Sequence, residues 1–387
     1  MIKLKLFIIR FFTGFFSHFK KKDIILFESV PVYSDNTKYV YEELNKRKVF
    51  EKYKPYWIVD KEMIVDCETA VSGNIKKSEN AVWKLISVIK CLYYFSVCRF
   101  VICESDFPRF DFKDVYYIDL AHGAALKNCS GYYNMPENCN EAMSLSPFLA
   151  KYDAINFNCD VSKMNILGYA RNDLLLGDKV SLNDIFSADA DKYIYWMPTY
   201  RQHKNGQVDT SRISFPIIYN EIIANEINEC AEKNSIVIIV KPHPQQDLSR
   251  IRSLKLSNLI FIDNAFLSDN NIENYSLLGS SDALITDYSS VYYDYLLCDK
   301  PIALCFDDYD DYFSKTGFTV DPDIILAGGE KIYDTNDMCS FIEQIAKGVD
   351  PLADKRREIR DLCHKYKDNK STDRIADYII SLLFNQQ

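Results

Sequence analysis

A chain of 387 residues that is 48% hydrophobic and 26% charged holds enough apolar material for a large core, which excludes disordered, collagen-like and small disulfide-stapled classes and favours two domains over one. With 46 basic and 55 acidic side chains the formal charge is −9, so nucleic acid is not expected as a partner, and any anionic substrate must meet local positive charge. Twelve cysteines run from Cys67 to Cys363 without a CxxC pair or a histidine at zinc-ligand spacing, a pattern of reduced thiols that points to a cytoplasmic body.

The opening MIKLKLFIIRFFTGFFSHFKKK has no small-residue cleavage site, and Lys3, Lys5 and Arg10 interrupt its apolar run well short of a membrane span. On a helical wheel Lys3, Arg10, Ser17, His18 and Lys21 share one side, while Leu4, Ile8, Phe11, Phe12, Phe15, Phe16 and Phe19 share the other. Residues 1–22 are therefore predicted to form an amphipathic helix lying in a membrane interface, with a core-packed first helix as the plainer reading.

Five apolar runs follow, DIILFE (23–28), KPYWIVD (54–60), CRFVICE (98–104), VYYIDLA (115–121) and MNILGY (164–169). They read as buried parallel strands, with helical patterns at Lys38 to Lys48 and Ala81 to Ser96 between them. A second series comprises KYIYWMPT (192–199), SIVIIVKPH (235–243), LIFID (259–263), DALITD (282–287) and PIALCF (301–306), with a helix from Phe215 to Lys233. Two such series predict an α/β protein of two doubly wound domains facing a central cleft, 23–180 and 190–387, joined through the polar stretch Gly177 to Lys192. The closing segment Asp354 to Phe384 reads as helical.

Ligands of open α/β sheets bind beyond the carboxyl ends of strands, which directs attention to five segments. His122 and Gly123 follow one strand, where a histidine can take a proton near neutral pH, although a structural strand-end histidine fits equally. Lys241, Pro242, His243 and Pro244 end another, and the prolines fix a cation and an imidazole as an anion clamp. Thr286 and Asp287 lead into Ser289 and Ser290 at a helix start, suited either to a phosphate or to plain N-capping. Thr199 with Arg201, and Arg171 with Asn172 and Asp173, complete the set. His203 and His364 fall in polar, exposed-looking surroundings, and the acidic FDDYDDYF (306–313) reads as a solvated or lid-forming turn because it lacks calcium-loop spacing.

Taken in order, FESVPVYSDNTKYVYEEL (27–44), HGAALKN (122–128), GYARNDLL (168–175), MPTYR (197–201), KPHP (241–244), TDYSSVYYDYLLCDKPI (286–302), DYDDYFSKTGFTVD (308–321) and HKYKDNKSTDRI (364–375) resemble the CDP-glycerol glycerophosphotransferases, bacterial teichoic-acid primases and polymerases. The resemblance implies a GT-B fold, with residues 23–180 on the acceptor side and residues 190–387 binding the CDP donor and carrying the C-terminal helix. It also implies peripheral association with the cytoplasmic face of the cell membrane. His122 is similar to the family's proposed base toward the acceptor hydroxyl, and His243 to a second essential histidine serving the donor phosphates. The donor contacts implied are the loop from His122 to Leu126, Arg171, Pro198, Thr199, Lys241 to His243, Ser289, Ser290 and Asp294. The chain departs from the usual Trp-His-Gly-Thr-Pro at Ala121, Ala124 and Ala125, and has Lys241 where arginine is usual.

The expected activity is transfer of a polyol phosphate, most readily glycerol phosphate, from a CDP-activated donor to a hydroxyl of a lipid-linked or growing glycan acceptor, releasing CMP. No metal or other cofactor is obligatory for it. The alternative is a GT-B glycosyltransferase using a nucleotide sugar in capsule or surface polysaccharide synthesis.

Overall fold

The computed structural model describes residues 11–385 except 61–62, 78, 105–111, 113, 131–134, 136–138, 200–214, 244–245, 247–250 and 252–253. The chain forms two compact units, one of Met1–Ala124, Ser130–Asp173 and Lys370–Gln387, the other of Ala125–Cys129 and Leu174–Asn369.

The first unit is built on a seven-stranded sheet of β1 (Ile24–Glu28), β2 (Lys54–Val59), β3 (Met63–Val65), β4 (Phe100–Cys103), β5 (Tyr116–Asp119), β6 (Cys139–Ser144) and β7 (Met164–Ile166). Their order is β3-β2-β1-β4-β5-β6-β7, with only the β2–β3 pair antiparallel. Every residue of β1 and β4 is buried, as expected of central strands covered by helices on both faces. The apolar runs foretold five of these strands. β3 is only three residues long and β6 reads CNEAMS, so neither presents an apolar run from which a strand could be read.

Helix α1 (residues 11–16) opens the described part of the N-terminal segment, the helix ending before residues 17–22 and the first ten residues lying outside the described residues. Its apolar side divides: Phe12 and Phe16 pack into the core with Val88, Cys91, Leu92 and Phe95 of α3 (Ala81–Val97), while Phe11 and Phe15 are exposed, as is Phe19 beyond its end. Between these two helices in sequence lies α2 (Asp35–Lys46).

In the second unit β8 (Lys192–Trp196), β9 (Ile236–Val240), β10 (Leu259–Phe261), β11 (Ala283–Thr286), β12 (Ile302–Cys305) and β13 (Glu330–Ile332) form a wholly parallel sheet ordered β10-β9-β8-β11-β12-β13. Strands of Ile, Val and Leu, with α4 (Glu221–Lys233) and α6 (Thr335–Lys347) packed against them, make its core. The short α5 (Val291–Leu296) starts just beyond β11.

Three features differ from the sequence reading. Residues 177–192, expected as the linker, group with the second unit and include a helical turn, Leu182–Phe186. The acidic segment opens a helix, Tyr309–Lys315, whose Asp308 accepts from the Tyr288 hydroxyl at 3.0 Å, so it is tied into an aromatic cluster rather than being a free turn.

The C-terminal helix, α8 (Ser371–Asn385), which follows α7 (Ala353–Cys363), groups with the first unit although it was assigned to the second domain. Its Ile375, Ala376, Ile379 and Leu383 are buried, and Arg47 binds Asp373 at 2.7 Å and also Asp377. Gly168 shows how closely this tail seats: at φ +89° it tolerates a backbone that other residues avoid, and a Cβ there would stand 2.5 Å from the Ser371 hydroxyl oxygen.

Candidate active site

In each sheet the strand order reverses beside a central strand, between β1 and β4 in the first and between β8 and β11 in the second. A crevice opens at the carboxyl ends of such strands because successive crossovers leave in opposite directions.

At the first switch point the consecutive residues Asp35, Asn36 and Thr37 open α2 and bind four strand ends. The Thr37 hydroxyl donates to the Glu28 carbonyl at 3.0 Å, and its amide donates to Glu104 Oε2 at 2.9 Å. Asn36 donates to the Ala121 carbonyl at 2.7 Å and accepts from the Arg171 amide at 3.0 Å. Asp35 receives Arg171 Nη1 on both oxygens, at 2.9 and 2.8 Å, and lies 2.8 Å from Nδ1 of His122.

The electrostatics of this group are uneven. Burial alone would raise the Asp35 pKa, but the Arg171 charge and the hydrogen bond from His122 overcome it and bring the value down to about 2. Asp35 is therefore a carboxylate at any physiological pH, able only to accept a hydrogen bond at its 2.8 Å contact with Nδ1 of His122. The His122 side chain is 64% exposed, so Nε2 belongs to a ring open to solvent. Glu104, 2% exposed, is pushed well above the ordinary carboxylate range by burial and then by the Asp35 charge.

Asp35, Glu104 and His122 are metal-ligand types whose ligand atoms all lie within 4.8 Å of one another. The Arg171 guanidinium and His122 already engage Asp35, and the Thr37 amide engages Glu104 Oε2. This donor set is arranged around hydrogen bonds and a built-in cation.

At the second switch point Thr199, just past β8, donates through its amide (2.9 Å) and its hydroxyl (2.9 Å) to Asp287 Oδ2 past β11. Thr286 donates to the Met197 carbonyl at 2.7 Å. These bonds, with buried Pro198, lash the two strand ends together. Lys241 follows β9, is only 9% exposed, and has its pKa lowered by burial against a smaller opposing effect of Asp263. His243 is held below the ordinary histidine range by burial, then by the charges of Lys127 and Lys241. Pro242, between them, is buried, while His243 is exposed.

Ser290 caps α5, a six-residue helix, without a side-chain cap bond, and Ser289 Oγ accepts from the Val291 amide at a long 3.5 Å. Asp294 is buried within α5 and accepts from the Tyr275 hydroxyl at 2.6 Å. The segment Ala125–Cys129 also belongs to this unit: the Leu126 carbonyl accepts from the Thr319 amide at 3.0 Å, and the Ala125 carbonyl from the Tyr293 hydroxyl at 3.1 Å.

The structure thus gathers His122 and Arg171 around Asp35 in one unit, and Pro198, Thr199, Lys241, Pro242, His243, Thr286, Asp287, Ser289 and Ser290 at the strand ends of the other. Gly123 stays with the first unit and Leu126 with the second. Arg201 and His203 lie outside the described residues. His364 is corrected: far from being exposed, it is 2% exposed, with Nε2 2.8 Å from the Tyr293 carbonyl oxygen.

Two residues escaped the sequence reading. Asp35 was hidden because an Asp at a helix start reads as a cap, and Lys127 because a single lysine after HGAAL carries no pattern. The loop position of Lys127 beyond His122 was the one available signal.

The sequence pattern defining the CDP-glycerol:poly(glycerophosphate) glycerophosphotransferases matches residues 10–381. The chain is 23% identical over 396 residues to the teichoic acid ribitol-phosphate polymerase TarL of Staphylococcus aureus, covering 95% of this chain and 64% of that protein. It is 26% identical over 211 residues to the teichoic acid glycerol-phosphate primase of Bacillus subtilis, covering 53% and 48%. The chain therefore spans less than two thirds of the length of these curated relatives. Among solved structures the wall teichoic acid polymerase TagF superposes with a TM-score of 0.69 at 21% identity, covering 95% of this chain and 90% of that one. A TagF variant has also been solved after a soak with CDPG. The likeness to TagF is one of fold, and the two parallel-stranded units are of the GT-B type.

Proposed function

The chain belongs to the CDP-glycerol:poly(glycerophosphate) glycerophosphotransferase family, and on that premise we propose that it transfers a polyol phosphate from a CDP-activated donor, CDP-glycerol first among them, to an acceptor hydroxyl. The observation that carries the reading is the family match over residues 10–381 together with His122, whose Nδ1 is hydrogen-bonded to an ionised carboxylate.

In the proposed reaction Nε2 of His122 takes the proton of the acceptor hydroxyl as its oxygen attacks the phosphorus bearing the polyol. The new bond is acceptor oxygen to phosphorus, the bond broken is the bridging oxygen to that phosphorus, and CMP departs with the bridging oxygen. The imidazolium formed on His122 is stabilised by Asp35 and later returns its proton to solvent. The growing charge on the leaving phosphate calls for preorganised positive groups. Lys127 and Lys241 supply it in the second unit, and His243, whose pKa is lowered by burial and then by their charges, offers an N–H to a phosphate oxygen. Thr199, Ser289 and Ser290 are the hydroxyls assigned to the donor. No cofactor enters this scheme.

The acceptor assigned to it is lipid-linked or a growing surface glycan, and the location is the cytoplasmic face of the cell membrane. Among the described residues no helix is long and apolar enough to cross a bilayer. Apolar side chains suited to a lipid surface are exposed in the first unit: Phe11, Phe15 and Phe19, and Val82, Trp83, Leu85 and Ile86 in the first turns of α3. Exposed Lys20, Lys22, Lys76, Lys77 and Lys84 stand beside them in sequence, in a protein of net negative charge. Apolar side chains flanked by lysines suit an anionic lipid surface.

The test is CMP release by purified protein from CDP-glycerol, CDP-ribitol and UDP-sugars with a lipid-linked acceptor, beside His122→Ala and His243→Ala. Turnover of one CDP-polyol, lost in both variants, is the expected result. Turnover only of a UDP-sugar, or turnover that survives both substitutions, overturns the reading.

A further inference from the structure

We propose that Asp35 is the positioning residue of the base: it fixes His122 as the tautomer with hydrogen on Nδ1 and the lone pair on Nε2, and Arg171 serves Asp35 rather than a donor phosphate. The inference rests on His122 acting as the base, and its test separates the two claims.

The geometry carries it. A free neutral histidine exchanges its proton between two nitrogens, and only one tautomer leaves Nε2 able to accept. Asp35 Oδ2, 2.8 Å from Nδ1, selects that tautomer because a carboxylate only accepts. The carboxylate is itself immobilised: Arg171 Nη1 reaches both its oxygens and the Asn36 amide donates to Oδ1 at 2.9 Å. The Arg171 side chain is 6% exposed and committed to this contact, which is the wrong disposition for a fork that must receive a solvated pyrophosphate. Asn36 holds the backbone on either side of the pair, at Ala121 and at Arg171. The base, its carboxylate and the supporting cation are thus set by one three-residue segment.

The same group of atoms also contains Glu104, so the rival use of Asp35 is as a ligand, with His122 and Glu104, to a divalent cation. A ligand role and a positioning role make opposite demands on Nδ1, since a metal needs the lone pair there and the carboxylate needs the hydrogen.

The experiment is nitrogen NMR of protein labelled with 15N-histidine, five residues in all, with His122→Ala assigning the signal, applied to the wild type, Asp35→Asn and the double variant Asp35→Asn/Arg171→Gln. The double variant removes both charges, so no unpaired guanidinium is left buried and folding is protected. Expected is an Nδ1–H tautomer in the wild type that is lost in both variants. Where turnover is measured, kcat falls about 10²- to 10⁴-fold, the range of general-base catalysis, while KM for the CDP donor stays within about threefold. An unchanged tautomer in Asp35→Asn overturns the proposal, whatever the reaction proves to be. So does a tenfold or larger rise in donor KM with kcat retained, which returns Arg171 to the donor, or Mn²⁺ broadening of the His122 signal that Asp35→Asn abolishes.

Discussion

Acidification is expected to destabilise the second unit through one buried imidazole, His364. The ring is 2% exposed, its Nε2 is 2.8 Å from the Tyr293 carbonyl oxygen, and burial brings its pKa down from the ordinary 6.5 to about 4. The Tyr293 bond and Asp294 oppose that shift, while Lys367 and Arg360 add to it. The sign follows from where the proton goes. Between pH 6.5 and 4 the unfolded chain binds a proton at this residue and the folded one does not, so stability is complete above about 6.5 and declines as pH falls.

At about 1.4 kcal/mol per pH unit, the loss is about 2 kcal/mol between pH 7.5 and 5, and about 3 kcal/mol by pH 4. Because His364 clamps the backbone of α5 at Tyr293, the first element to loosen is the helix that follows Ser289 and Ser290. The assay is urea unfolding of the full chain at pH 7.5 and pH 5, comparing wild type with His364→Gln, which cannot titrate, and following the transition of the second unit. The difference between the two proteins should shrink by about 2 kcal/mol at the lower pH, relative to pH 7.5. Equal pH dependence of wild type and variant, or a His364 NMR signal that titrates near 6.5, refutes the reasoning.

Gly168→Ala should destabilise the first unit by about 2 kcal/mol or more, from the cost of a left-handed backbone and the clash with Ser371; adding Ser371→Gly should recover only the clash, read as melting temperature. Asp350→Asn strips Arg356, a 1% exposed guanidinium, of its bidentate partner at 2.9 and 2.6 Å. A loss of about 3 kcal/mol is expected by denaturant unfolding, at the lower end for a broken buried pair because Asp299 remains 3.5 Å away. Phe15→Ser with Trp83→Ser should weaken binding to phosphatidylglycerol vesicles at least tenfold, since each buried aromatic is worth about 1.5 to 3 kcal/mol. Cosedimentation unchanged by the double substitution would remove that face from the membrane account.

The apolar runs of the sequence were sufficient to locate the central strands of both sheets, because a parallel strand buried on two faces must be apolar along its length. Ile236–Val240 and Ile302–Cys305 are such strands. For the same reason the residues after those runs, His122, Lys241, His243 and Ser289 among them, could be singled out as strand-end candidates before any fold was known. The division of the described N-terminal phenylalanines between core and surface was not legible, because it depends on the face that α3 presents.

What the sequence by itself determined, then, is what repeats at short range: strand burial, helix amphipathicity, and the residue types that follow each strand. Tertiary structure decided the partnerships. Asp35 meets Arg171 across 136 residues of chain, Thr37 meets Glu104 across 67, and Ser371 meets Asp173 across 198. His364 looked polar beside its lysines, yet it is buried by α5, 71 residues away. No local pattern records such meetings, because strand order and crossover direction bring these residues together, and a charge's pKa and role depend on the groups it then faces.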